Sequence, residues 1–170
     1  LVKGKVTPEL LARSLRYAVE RRAFEQTRTE LDQRVSGVSH QGVIAEMGVV
    51  AALSEGELPQ FLSGMDRSAL LLVLDGVQDP HNLGACLRTA DAAGADAVVV
   101  PRHGAAGLGP TVSKVAAGAA EQLPFAPVAN LGKTLDWLGE YGVRRIGTSD
   151  QAGVSLFEAD FEGSVALVMG

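Results

Sequence analysis

The chain has 170 residues, 46% of them hydrophobic and 21% charged, with a formal net charge of −5. That balance supports a buried core and excludes disordered, collagen-like and low-complexity classes. A single cysteine, Cys86, excludes a disulfide scaffold, and His40, His81 and His103 are too scattered to suggest a metal site.

The longest purely apolar run, Ala69 to Leu74, has six residues. A membrane-spanning helix needs about 20. No basic-then-apolar leader opens the chain, so a soluble cytoplasmic protein without metal is expected. Residues 1–53 hold eight Lys/Arg and six Asp/Glu, whereas residues 54–170 hold seven and fourteen. The chain therefore lacks a global nucleic-acid footprint. Any contact with nucleic acid must be local, or favoured by the first part.

The first predicted element is a helix capped by Thr7, with Pro8 at its first position. Leu11, Leu15 and Val19 share one of its faces. Residues 23–37 are polar and ambiguous, and Val43-Ile44-Ala45 reads as a short strand. Residues 54–68 combine Gly, Pro, Ser and acidic side chains and read as a linker. After it the rhythm changes. Ala69–Leu74 is a buried-type strand, residues 82–93 a helix ended by Gly94, and Ala97–Val100 a second strand stopped by Pro101. Residues 102–110 are a glycine-rich loop, 111–120 a helix, and 123–128 a short strand. Asn130 caps a helix that carries Leu131, Leu135 and Leu138 on one face and closes at Gly142. Residues 143–148 and 165–169 are further strands. Short apolar strands alternating with helices imply an α/β fold, a mostly parallel sheet with helices on both faces. The chain opens on what resembles the tail of a strand and stops at Gly170, straight after another, so a piece of a longer protein is expected.

The most informative stretch runs from Asp75 to Pro101. A strand enters an Asp79-Pro80 turn, then Asn82 and Gly84, then a helix bearing Arg88. A helix N-terminus offers free N–H groups to anions and polar ligands. Asn82 lies on that rim, Gly84 permits close backbone approach, and Arg88 supplies a planar five-donor fork. Two other glycine-rich stretches are decoys. In PVANLGKT (127–134) Pro127 stands where a P-loop needs its first glycine. GAAGLG (104–109) breaks the dinucleotide-binding order. Cys86 reads as a small core residue, and Trp137 and the two tyrosines as core aromatics.

The pattern Asn82-x-Gly84-x-x-x-Arg88-Thr89-Ala90 between two buried strands resembles motif 1 of the SpoU/TrmH ribose 2′-O-methyltransferases. These belong to the SPOUT superfamily of α/β-knot enzymes. KVAAGAAEQLP, NLGKTL and VALVMG extend the likeness over residues 69–170. Within the family it is nearest to bacterial enzymes that methylate a guanosine ribose of large-subunit (23S) ribosomal RNA. SGVSHQGVIAEM (36–47) is similar to the end of a small L30e/L7Ae-like RNA-binding domain. The resemblance implies three parts: 1–53 from that domain, 54–68 as linker, and 69–170 from the methyltransferase domain without its knot segment. It implies S-adenosylmethionine as cofactor, ribosomal RNA as partner and a homodimer.

By the same resemblance, Asn82 and Arg88 are the catalytic pair, and Gly147, Thr148 and Gly170 line the cofactor. Arg88, His81 and His40 are the candidate RNA contacts. Two roles for Arg88 stay open, a phosphate clamp that orients the ribose and a base for its 2′-hydroxyl. A guanidinium is a poor base in water, which favours the clamp. The rival functions are a non-catalytic RNA-binding protein with a degenerate knot domain, and methylation of a tRNA ribose.

Overall fold

The computed structural model describes residues 15, 19, 25, 28–34 and 52–170. The chain divides into two compact units, Leu1–Val49 and Val50–Gly170. In the first unit the described residues are helical, and Thr29 Oγ1 donates to the Glu25 carbonyl at 2.9 Å. Leu15 and Val19 are both exposed. The expected strand at 43–45, His40 and the Thr7 cap lie outside the described residues.

The second unit is built on five parallel strands: β1 (Leu70–Leu74), β2 (Ala97–Pro101), β3 (Phe125–Val128), β4 (Arg144–Gly147) and β5 (Val165–Met169). Their order across the sheet is β3-β2-β1-β5-β4, every pairing parallel. Central β1 and β2 are near-continuous apolar runs because both of their faces are covered. Pro127 is tolerated in β3 because β3 is an edge strand.

Five helices pack around the sheet: α1 (Leu58–Ser63), α2 (Pro80–Ala92), α3 (Pro110–Ala116), α4 (Ala119–Gln122) and α5 (Leu131–Glu140). Leu83 and Leu87 of α2, Val112 of α3 and Ala120 of α4 join Leu72, Leu74, Val98 and Val100 on one face. Leu58 and Leu62 of α1 and Leu138 of α5 join Leu71, Val73, Val99 and Val128 on the other. Asn130 caps α5 as expected, its Oδ1 accepting from the Lys133 N–H at 3.0 Å. Gly142, at φ +91°, turns the chain away beyond it.

Three expectations are corrected. The 54–68 stretch is no free linker. It contains α1, whose Leu58 and Leu62 are buried in the same core as β1 and β2. Its polar composition conceals two leucines spaced one helical turn apart. The helix expected over 111–120 breaks into α3 and α4, with Ala117 at φ 53° and Gly118 at φ 100°. Breaking there turns Ala119 and Ala120 into the core. Tyr141, expected inside, is 44% exposed. It pairs with Trp137 at a ring-centroid distance of 5.3 Å.

Candidate functional site

In a parallel sheet every strand delivers its carboxyl end to the same edge. Ligands of open α/β sheets bind where the strand order reverses. Here β1 leads outward to β2 and β3, and the chain then crosses to β4 and returns inward to β5. The reversal lies between β1 and β5.

Gly147 ends β4 in register with Val168 of β5. Thr148 follows, and its backbone N–H and its hydroxyl both donate to the Val168 carbonyl, at 2.9 and 3.3 Å. Gly170 follows β5 directly, and the Asp75 N–H donates to the neighbouring Met169 carbonyl at 2.7 Å. The structure thus brings Gly147, Thr148 and Gly170 together on one edge. A Cβ on Gly147 would meet nothing within 4 Å, so open space faces this strand end. A Cβ on Gly170 would press on the Asp75 backbone oxygen at 3.2 Å. Two bare backbone ends beside a hydroxyl leave room for a ligand, and Gly147, Thr148 and Gly170 are the residues that could hold a cofactor there.

Asn82 belongs to the first turn of α2, which starts from the same edge. Asp79, not Asn82, caps this helix: its Oδ1 accepts from the His81 N–H at 2.9 Å. Pro80 at the first position has no N–H to satisfy. The exposed Asn82 amide is therefore free of capping duty. The His81 side chain is exposed beside it.

Arg88 stands further off. It lies eight residues beyond Pro80, about 12 Å along the axis, and about 120° around the helix from Asn82. It is exposed and makes no hydrogen bond or ion pair among the described residues.

Gly84 needs a different explanation from ligand approach. It is buried, and a Cβ there would stand 2.7 Å from Val115 Cβ and 2.9 Å from the Val112 carbonyl. Its bareness lets α3 lie against α2. Cys86 is half-buried, and burial raises its thiol pKa above the usual range. Cys86 and Thr89 line an apolar groove of about 310 Å³ with Leu70, Ala93, Leu167 and Met169. That lining offers no charged group to a phosphate.

Lys133 and Thr134 sit in the first turn of α5 behind the Asn130 cap, two residues after β3, with no loop to cradle a phosphate. Among the described residues no His, Cys, Asp and Glu side chains gather into a metal-binding group. Among them, too, no helix is long and apolar enough to cross a membrane.

The SpoU rRNA Methylase family model matches residues 69–170, the span that holds the sheet and its carboxyl edge. The chain belongs to this family. Among curated relatives, the 23S rRNA (guanosine-2'-O-)-methyltransferase RlmB of Vibrio vulnificus is 48% identical over 146 residues. That match covers 86% of this chain and 59% of the relative. The same-named enzyme of Ralstonia nicotianae is 51% identical over 144 residues, covering 82% and 57%. The chain thus spans rather more than half the length of these relatives. Among solved structures, an RNA 2'-O ribose methyltransferase superposes with a TM-score of 0.53 at 34% identity. It covers 61% of this chain and 39% of that one. The SpoU methyltransferase AviRb from Streptomyces viridochromogenes, in complex with AdoMet, gives 0.56 at 26% identity, covering 61% and 41%.

Proposed function

We propose that the full-length protein methylates a ribose 2′-hydroxyl of RNA, using S-adenosylmethionine, and that the target is a guanosine of 23S ribosomal RNA. The observation that carries this reading is the gathering of Gly147, Thr148 and Gly170 on the carboxyl edge of a family sheet, the edge from which α2 and its exposed Asn82 also start. Relatives near 50% identity that bear the 23S guanosine name favour that target over a tRNA ribose. The reading places the protein in the cytoplasm, as a homodimer. It assigns the basic first part of the chain, with His40, to RNA binding.

When bound, the cofactor supplies an electrophilic methyl group on a positively charged sulfur. The rest is positioning, because transfer needs the acceptor oxygen in line and within about 3–3.5 Å. Asn82, at the rim, has a donor and an acceptor to orient the nucleoside. Arg88 clamps an RNA phosphate through its planar fork and holds the ribose in place. A guanidinium serves better as a clamp than as a base, so the hydroxyl proton leaves to solvent water as the methyl group is transferred.

Single-turnover methylation of a ribosomal RNA fragment tests this assignment. Arg88→Ala should abolish transfer and leave cofactor affinity within a few-fold. Arg88→Lys should keep slight activity, with the loss appearing as weaker RNA binding. Normal RNA binding with an altered pH–rate profile in the Lys variant would move Arg88 from clamp to base. Wild-type rates in Arg88→Ala would defeat both roles.

A further inference from the structure

We propose that Asp79 is a positioning residue for methyl transfer: by capping α2 it holds Asn82 in place at the rim. The proposal rests on the methyl-transfer reading above, with its assignment of Asn82, and adds a residue that reading does not use.

The turn between β1 and α2 is anchored on both sides and bare in between. On the strand side, the Ala106 N–H of the loop after β2 donates to the Val77 carbonyl at 2.8 Å. Val77 itself packs against the core that α2, α3 and α4 share. On the helix side, Leu83 and Leu87 are fully buried. Between these anchors Gln78, Asp79, Pro80, His81 and Asn82 are all exposed. No buried side chain fixes this stretch, so its conformation rests on its own backbone and hydrogen bonds.

Those bonds meet at Asp79. Its Oδ1 accepts from the His81 N–H at 2.9 Å, and its carbonyl accepts from the Leu83 N–H at 3.0 Å. Its backbone, at φ −77° and ψ 122°, has the extended conformation typical of an N-cap. Pro80 presets φ for the first helical position and has no N–H to satisfy. Without the Asp79 oxygen the first turn loses an acceptor for its orphan N–H groups and frays. Asn82 lies inside that turn, one residue beyond the N–H that Asp79 holds. The closed turn sets where the Asn82 amide stands, and the frayed turn lets it drift. Drift matters because a misplacement of about 1 Å can cost on the order of 100-fold in rate. Asp79 thus acts through Asn82, not by touching the substrate.

The test uses the full-length protein in single-turnover methylation of a ribosomal RNA fragment, at a temperature where circular dichroism shows every variant folded. Asp79→Ala should slow transfer by on the order of tenfold. Exchange of the Leu83 amide with solvent should speed up about fivefold in that variant, the shift that loss of one cap brings. Asp79→Asn drops the charge and keeps a capping oxygen, so it should restore both values to within about twofold of wild type. In an Asn82→Ala background, Asp79→Ala should slow transfer by less than about twofold, because the group it positions is gone. An Asp79→Asn variant as slow as Asp79→Ala would overturn the proposal, since the charge and not the cap would then matter. Equal slowing by Asp79→Ala with and without Asn82, or unchanged transfer in Asn82→Ala itself, would overturn it too. Each of these results leaves the methyl-transfer reading standing, because the wild type still transfers. A wild-type protein without transfer activity would sink that reading, and this inference with it.

Discussion

Gly84→Ala isolates one physical cause. The new methyl group would stand 2.7 Å from Val115 Cβ and 2.9 Å from the Val112 backbone oxygen. Neither neighbour is the tip of a flexible side chain, so α2 and α3 must separate. Overpacking of this kind costs about 1–3 kcal/mol, and replacing a mid-helix glycine returns about 1 kcal/mol. A net loss of about 1 kcal/mol is expected. Gly139→Ala is the matched control. Its methyl group would also meet a neighbour at 2.7 Å, but that neighbour is the Arg145 guanidinium. The guanidinium can swing out, giving up a hydrogen bond to the Leu135 carbonyl and an exposed pairing with Asp136. Exposed pairs contribute about 0–1 kcal/mol, so Gly139→Ala should be close to neutral. Urea unfolding of both variants and the wild type reads the difference directly. Equal stability of the two variants, or a more stable Gly84→Ala, would refute the packing explanation of Gly84.

Three further outcomes follow. Leu58→Ala and Leu62→Ala should each cost about 2–5 kcal/mol in urea unfolding, because both side chains are buried in the main core; effects below about 0.5 kcal/mol would restore α1 to a linker. Asp79→Ala removes the α2 cap and should cost about 1 kcal/mol, whereas Asn82→Ala should leave stability within about 0.5 kcal/mol and lower methyl transfer. Asp160 is held below the usual carboxylate range by its hydrogen bond with Arg144. A depressed folded-state pKa gives stability that is present above the unfolded pKa, near 4, and is lost as pH falls through the folded one. Asp160→Asn should therefore flatten the acid side of the stability profile, and an unchanged profile would contradict the pairing.

How much of this was legible in the sequence depends on what each element rests on. The strands β1, β2 and β5 announce themselves because burial on both faces demands continuous apolar runs. The Asn130 cap and the Gly94 stop are local chemistry, and local chemistry is written in adjacent residues. The break at Ala117 is less so, because alanine is the strongest helix former and Gly118, at φ 100°, was the one local signal for it. Helix α1 was hidden for the opposite reason, its two buried leucines standing among Gly, Pro and acidic residues. Gly84 was visible as a demand for close approach, but the sequence does not say that the approaching group is α3. The meeting of Gly147 with Gly170 depends on strand order, a long-range property. It was reached through family resemblance, and the register of β4 on β5 then displays it.

The central claim is that methyl groups pass to ribose, not to a base. Full-length protein, 23S ribosomal RNA and methyl-labelled S-adenosylmethionine, followed by alkaline hydrolysis, test it most directly. A 2′-O-methyl group blocks cleavage at its own nucleotide, so the label should be recovered in an alkali-resistant dinucleotide that begins with guanosine. Label released in mononucleotides, or no transfer at all, would contradict the account.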